Sequence, residues 1–255
     1  MNFTIGADPE LFLKNSSGKL ISSIGLIGGS KQHPKLISEN GHAIQEDNVS
    51  VEFNIPPCES ASAFVDNLNF VLTHLDKRAA ELGLQFATNI AAASFPEDQL
   101  NCPEAFVFGC EPDFNAWTRR INPRPHADDY TLRSCGGHVH VGTKLDGIAV
   151  IRAMDLFLGV PSIFLDPDTK RRELYGKAGA YRSKNYGVEY RTLSNFWIWK
   201  DATKKWVYDQ TKRALEFVES GSVIPATHGK LIRNAINNGD YNAAEVLGKH
   251  YTLAY

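Results

Sequence analysis

The chain has 255 residues, 43% hydrophobic and 22% charged, with a formal net charge of -2 and a pI near 6.4. These values fit one folded domain over residues 1–255 with room for a sizeable core, and they exclude a disordered chain. They supply no basic surface for nucleic acid or an anionic membrane.

The four cysteines, Cys58, Cys102, Cys110 and Cys135, have no CxxC spacing and read as free thiols of a reducing cytoplasm. The start of the chain has no basic-then-apolar leader, so a cytoplasmic protein is expected, in the host cytoplasm if a phage encodes it. The most apolar segment, 148–165, is interrupted by Arg152, Asp155 and Pro161, which argues against a membrane span.

In chain order, residues 2–13 read as a first strand closed by the turn Asn15-Ser-Ser-Gly18. Asp8 and Glu10 lie two apart and so share a face. A glycine-rich loop follows, then an alternating run from Asn48. It puts Asn48, Ser50, Glu52 and Asn54 on one face, and Val49, Val51, Phe53 and Ile55 on the other, until two prolines stop it. Residues 60–82 carry apolar side chains at three- and four-residue steps and predict a helix ended by Gly83. Residues 84–93 read as a further strand. Gly109-Cys-Glu111-Pro-Asp113-Phe echoes Gly6-Ala-Asp8-Pro-Glu10-Leu with the two acids exchanged.

The stretch Cys135-Gly-Gly-His138-Val-His140-Val-Gly142 alternates with strand period, so His138 and His140 share a polar face backed by two valines. Residues 148–158 predict an amphipathic helix ended before Pro161, followed by the basic run Lys170–Lys184. In the next strand Glu189 and Arg191 again share a face. Residues 201–219 and 227–250 read as helices without ligand motifs.

Gathered together, these polar faces carry Asp8, Glu10, Glu52, Glu111, Asp113 and Glu189 with His138 and His140. So many carboxylates around one cavity need cations among them. Oxygen-rich ligation with one or two imidazoles favours Mg²⁺ or Mn²⁺ over zinc. Hard divalent ions clamp phosphates, and the basic run from Arg171 to Lys184 adds positive charge for the same purpose. The residues therefore point to metal-dependent phosphoryl chemistry on an antiparallel sheet.

The chain resembles the carboxylate–amine ligases of the glutamine synthetase and glutamate–cysteine ligase superfamily, and is especially similar to phage-type COOH–NH2 ligases (amidoligases). The resemblance rests on Gly6-Ala-Asp-Pro-Glu10, Val51-Glu-Phe-Asn-Ile-Pro-Pro57, Gly109-Cys-Glu-Pro-Asp-Phe-Asn115, the histidine strand and Tyr186-Gly-Val-Glu-Tyr-Arg191, five motifs in the superfamily's order. It implies an α+β fold in which a curved antiparallel sheet lines the active site and helices pack on its outer face, with 201–255 a helical extension. It implies two Mg²⁺ sites, one held by Asp8, His138 and Glu189 on the nucleotide phosphates, the other by Glu10, Glu46 and Glu52. Glu46 precedes Glu52 by about 20 Å of extended chain, so it joins only if the chain bends near Asp47-Asn48.

The resemblance further assigns Arg191 and Arg182 to catalysis and, with Arg172 and Lys177, to the phosphates of ATP. His140 is placed against substrate or phosphate, the glycines flanking its strand are read as room for a nucleotide to approach the backbone, and Glu111 or Asp113 is placed against the amine or its proton. The implied reaction joins a small-molecule or peptide carboxylate to an amine through an acyl phosphate, releasing ADP, with no role for nucleic acid or membrane. An oligomer is compatible with the superfamily. Two rival readings are a metal-dependent hydrolase built on the His-x-His strand and a non-catalytic binding relic of the fold.

Overall fold

The computed structural model describes residues 2–106, 113–123, 128–166, 168 and 170–255. In chain order its strands are β1 (Thr4–Leu11), β2 (Leu13–Lys14), β3 (Leu20–Ile21), β4 (Lys35–Leu36), β5 (Ala43–Asp47), β6 (Ser50–Asn54), β7 (Gln85–Phe86), β8 (Ala92–Ser94), β9 (Phe114–Asn115), β10 (Arg120–Ile121), β11 (Leu132–Ser134), β12 (Gly137–Gly142), β13 (Ala180–Lys184) and β14 (Gly187–Tyr190). The helices are α1 (Ala61–Glu81), α2 (Gly147–Met154), α3 (Val160–Leu165), α4 (Lys170–Leu174), α5 (Asp201–Glu219), α6 (Ala226–Asn238) and α7 (Tyr241–Tyr251).

Nine strands form one antiparallel sheet in the order β10-β9-β13-β14-β12-β1-β6-β5-β4, which makes the fold α+β. Side chains opposite one another across an antiparallel ladder share a face. One face therefore collects Ile5 and Ala7 of β1, Val139 and Val141 of β12, Val188 and Tyr190 of β14, and Val51 and Phe53 of β6. All are buried in the main core with residues of α1, α2 and α5. The other face receives the polar residues of the same strands.

The alternating run from Asn48 becomes a hairpin strand. Asn48 adopts φ 57° at the turn, and β5 and β6 pair Gln45 with Glu52 and Asp47 with Ser50. Residues 84–93 do not form one strand. Only β7 and the start of β8 are extended, because β7 leaves to pair with β2 and β8 pairs with β11.

The glycines before the histidine strand serve packing. A Cβ on Gly136 would lie 2.2 Å from His138 Nε2, and one on Gly137 would lie 2.2 Å from the Ser194 carbonyl. They admit the chain's own imidazole and backbone, where room for a nucleotide was expected. Trp197 Nε1 donates to the Gly137 carbonyl at 3.2 Å and fastens that end of the strand.

The helix expected to stop before Pro161 runs through it. A π-helical turn, Asp155–Gly159, joins α2 to α3, and the i→i+5 pattern accommodates a proline that donates no hydrogen bond. Gly147–Leu165 is long and apolar enough to cross a membrane by length and composition. Its side chains are instead largely taken up by the core, including Val150, Ile151, Met154, Leu156, Leu158 and Val160.

That turn places Asp155 beneath β14. Trp117 Nε1 donates to its Oδ2 at 2.6 Å, and Tyr190 Oη and Thr192 Oγ1 donate to Oδ1 at 2.9 and 3.2 Å. Burial pushes the carboxyl up to about 7 despite these three donors. A folded-state pKa above the unfolded value means the native state holds the proton more tightly, so the stability contributed at low pH is lost as pH rises toward and past 7. Urea unfolding of the wild type should show that decline between about pH 4 and 8, and Asp155→Asn should flatten it. An identical pH slope in the variant would show that Asp155 is not its source.

Candidate active site

The functional face begins where β1, β12 and β14 lie side by side. Asp8 pairs in register with His138, and His140 pairs with Glu189. Asp8 Oδ1 lies 3.3 Å from His138 Nδ1, and Oδ2 lies 3.0 Å from His140 Nε2. Burial alone would raise the Asp8 carboxyl, but the two imidazoles outweigh it and hold it well below the ordinary range. His140 moves the opposite way, since Asp8 overcomes the effect of burial and raises its pKa. The other nitrogen of His140 meets the Tyr186 hydroxyl.

Glu189, 1% exposed, is surrounded by cations. Lys184 Nζ lies 2.7 Å from its Oε2, Arg182 Nη1 lies 3.7 Å from its Oε1, and Arg191 Nη1 bonds Oε1 directly. Burial and Asp8 push Glu189 up; Arg191, His138 and His140 bring it down to about 2. Asp113 completes this cluster, with its Oδ1 at 2.8 Å from Arg191 Nε and 3.5 Å from Arg182 Nε.

A second acidic group lies on the β1–β6–β5 side. Glu10 pairs with Glu52, and Gln45 with Glu52, so all three share a face with Asp47. Glu10, Asp47 and Glu52 each offer an oxygen within 4.8 Å of the others, as do the ligand atoms of Asp8, His140 and Glu189. The second group has few donors of its own. The Gly136 N–H reaches Glu10 Oε2 at 2.7 Å, the Gln45 amide reaches Glu52 Oε2 at 2.8 Å, and Lys31 stands 3.8 Å from Asp47. Burial, then the charges of Asp8, Glu10 and Asp47, push Glu52 well above the usual carboxylate range.

The two groups differ in what they can do. The first is a network whose carboxylates already face imidazoles, arginines and a lysine. The second is three carboxylates short of positive charge, with the oxygen-only donor set that a hard divalent cation takes. Both line one open groove of about 450 Å³, with Arg182, Lys184 and Arg191 along its wall.

Other expected residues sit elsewhere. The chain does reverse at Asn48, but antiparallel parity sets Glu46 opposite Val51, on the face away from Glu52. Its carboxylate accepts from the N–H groups of Gly25, Ile27 and Gly28 at 2.9, 2.9 and 2.7 Å and anchors that glycine loop. Asp47, one residue on, takes the position expected of Glu46. Arg172 is turned under α3, with Nη2 donating to Ser162 Oγ at 3.3 Å and lying 3.8 Å from Asp166. It is not among the residues lining the groove, nor is Lys177, which is exposed to solvent. Glu111 lies outside the described residues.

Sequence reasoning missed Asp47 as a site residue, and it gave Arg171 and Lys184 only as the ends of a basic run, without places of their own in the site. Lys184 was within reach, because it lies two residues after Arg182 on β13 and shares its face. Asp47 needed the hairpin, and Arg171 needed the phase of a helix only five residues long.

This geometry separates the adjacent acids Glu46 and Asp47. Glu46→Gln should lower stability by about 1–3 kcal/mol, the scale of hydrogen bonds to a charged group, with little change in Mn²⁺ affinity measured calorimetrically. Asp47→Asn should keep the unfolding midpoint near wild type and weaken Mn²⁺ binding. The reverse pattern would contradict the assignment of faces.

No curated protein matches the chain. Residues 122–220 match the model of the family described as Phage phiEco32-like COOH.NH2 ligase-type 2, a span that includes His138, His140, Arg182, Lys184, Glu189 and Arg191 and excludes Asp8, Glu10, Asp47 and Glu52.

Proposed function

We propose that this chain is an ATP-dependent carboxylate–amine ligase that forms an amide through an acyl phosphate and releases ADP and phosphate. The family match over residues 122–220 supports carboxylate–amine ligation. The observation that carries the finer reading is one groove holding an acid group short of cations beside a wall of Arg182, Lys184 and Arg191.

The donor sets fit divalent cations unequally. Glu10, Asp47 and Glu52 would hold one with oxygens alone, and a bound cation would relieve the crowding that raises Glu52. Asp8, His140 and Glu189 would hold a second, with His138 and the neighbouring cations giving way. Such ions supply charge neutralisation for phosphate and carboxylate oxygens when bound.

The chain's own residues then have distinct tasks. Arg182, Lys184 and Arg191 present positive charge where oxygens gain charge during phosphoryl transfer, and their carboxylate partners fix them before substrate arrives. Asp113 contacts both arginines through Oδ1. Those contacts support a role in orienting guanidinium groups, beside the amine binding or proton acceptance expected of it or of Glu111. In both groups carboxylates outnumber imidazoles, which favours Mg²⁺ or Mn²⁺ over the zinc of a hydrolase.

Purified protein given Mg²⁺, ATP and a panel of carboxylates and amines should form ADP and phosphate, not AMP, only when both substrates are present. Lys184→Met, at a side chain only partly buried, should lower kcat by roughly 10²–10³ while the fold persists. AMP formation, or full activity in that variant, would contradict the reading.

A further inference from the structure

On the helix side of the sheet, away from the groove, three arginines gather around Trp117. The indole itself is held closely. Its Nε1 donates to Asp155, a Cβ on Gly179 would lie 2.6 Å from its Cδ1, and one on Gly229 would lie 2.7 Å from its Cζ3. The Arg152 guanidinium stands over the ring, 5.1 Å from its centre. It donates twice to the Ala116 carbonyl, from Nε at 3.0 Å and Nη2 at 2.8 Å. Arg233, one turn along α6 from Gly229, donates its Nε–H to the Gly229 carbonyl at 3.2 Å. Arg119 follows Trp117 by two residues, in the turn between β9 and β10, where it takes φ 57°.

These arginines differ from others in the chain. Arg78, Arg172, Arg182 and Arg191 each face a carboxylate. Arg119, Arg152 and Arg233 have no ion-pair partner among the described residues. Burial lowers the Arg152 pKa most, the charges of Arg119 and Arg233 lower it further, and Asp146 opposes them. Asp146 itself is spent on capping α2, accepting from the Ala149 N–H at 2.8 Å. Three like charges drawn together by neutral carbonyls and an indole repel one another until an anion joins them. Arg152 keeps its Nη1, Arg233 both terminal nitrogens and Arg119 its whole guanidinium for such a ligand. One guanidinium fork already satisfies a carboxylate. Three match a phosphate group, with its double charge and three strong acceptor oxygens.

We propose that Arg119, Arg152 and Arg233 form a binding site for a dianionic phosphate group, either the free ion or the phosphate of a small phosphomonoester. None of the three lines the groove, so the site stands apart from the ligase reading. Arg152 is its fixed floor, and Arg119 and Arg233 close on the ligand from the β9–β10 turn and from α6.

The test is calorimetry on the full chain at about pH 8 and low salt, without divalent metal or ATP. The probes are inorganic phosphate, glycerol 3-phosphate and acetate. Phosphate should bind roughly 10-fold more tightly than acetate, and Arg119→Gln and Arg233→Gln should each weaken phosphate roughly 10-fold. The same losses should appear in a Lys184→Met background, where phosphate entering the groove is disfavoured. Lys249→Gln removes an exposed charge from α7 and should leave phosphate affinity unchanged. Tighter binding of glycerol 3-phosphate than of phosphate assigns the site to a phosphomonoester and the reverse to the free ion; both uphold it. Absent phosphate binding, equal affinity for acetate, or an equal loss in Lys249→Gln would overturn the inference. So would full binding in the Arg119→Gln/Arg233→Gln double variant with loss only in Lys184→Met, which would put the phosphate in the groove.

Discussion

Charge balance on one face of the nine-stranded sheet is the constraint on which the rest of this molecule depends. Strand alternation sends Asp8, Glu10, Glu52 and Glu189 to the same side, and like charges at such largely buried positions cannot all remain ionised without compensation. The chain answers in two ways. Around Asp8 and Glu189 it supplies its own cations, and both carboxyls are held low. Around Glu52 it supplies little more than an amide and a backbone N–H, and Glu52 is driven up. A face with one half self-neutralised and the other awaiting charge is suited to bringing a cation and an anionic substrate together.

The apolar side of the sheet fixes that face. Asp155 on the π-turn grips Tyr190 and Thr192, the residues that alternate with Glu189 and Arg191 along the same stretch. Trp197 and the close approaches at Gly136 and Gly137 hold the beginning of the histidine strand. Pairing to β12 on one side and β13 on the other leaves Glu189 little freedom to move away from its partners. Rigid backing of this kind is what electrostatic preorganisation requires.

Much of this was legible in the sequence wherever a single strand carried the signal. Asp8 with Glu10, His138 with His140, and Glu189 with Arg191 are i, i+2 pairs, and period two alone puts each pair on one face. What could not be read was the relation between strands. Glu46 and Asp47 differ only in which way a hairpin sends them, and that depends on the turn at Asn48 and the register with Glu52. The two imidazoles were divided between metal and substrate, yet the structure groups Asp8 and Glu189 with His140 while His138 also lies 3.3 Å from Asp8. Arg171 and Arg172 are neighbours on a short helix, and only its packing decides that the first lines a small cavity beside the groove and the second turns away. The helix through Pro161 was misread because a π-turn has no sequence signature in period or composition.

The central claim is that this face transfers a phosphoryl group to a carboxylate before an amine attacks. Turnover with a carboxylate labelled in both oxygens with ¹⁸O tests it most directly. The account predicts that each phosphate released carries one labelled oxygen taken from the carboxylate. Unlabelled phosphate accompanying amide formation, or label delivered to AMP, would contradict it.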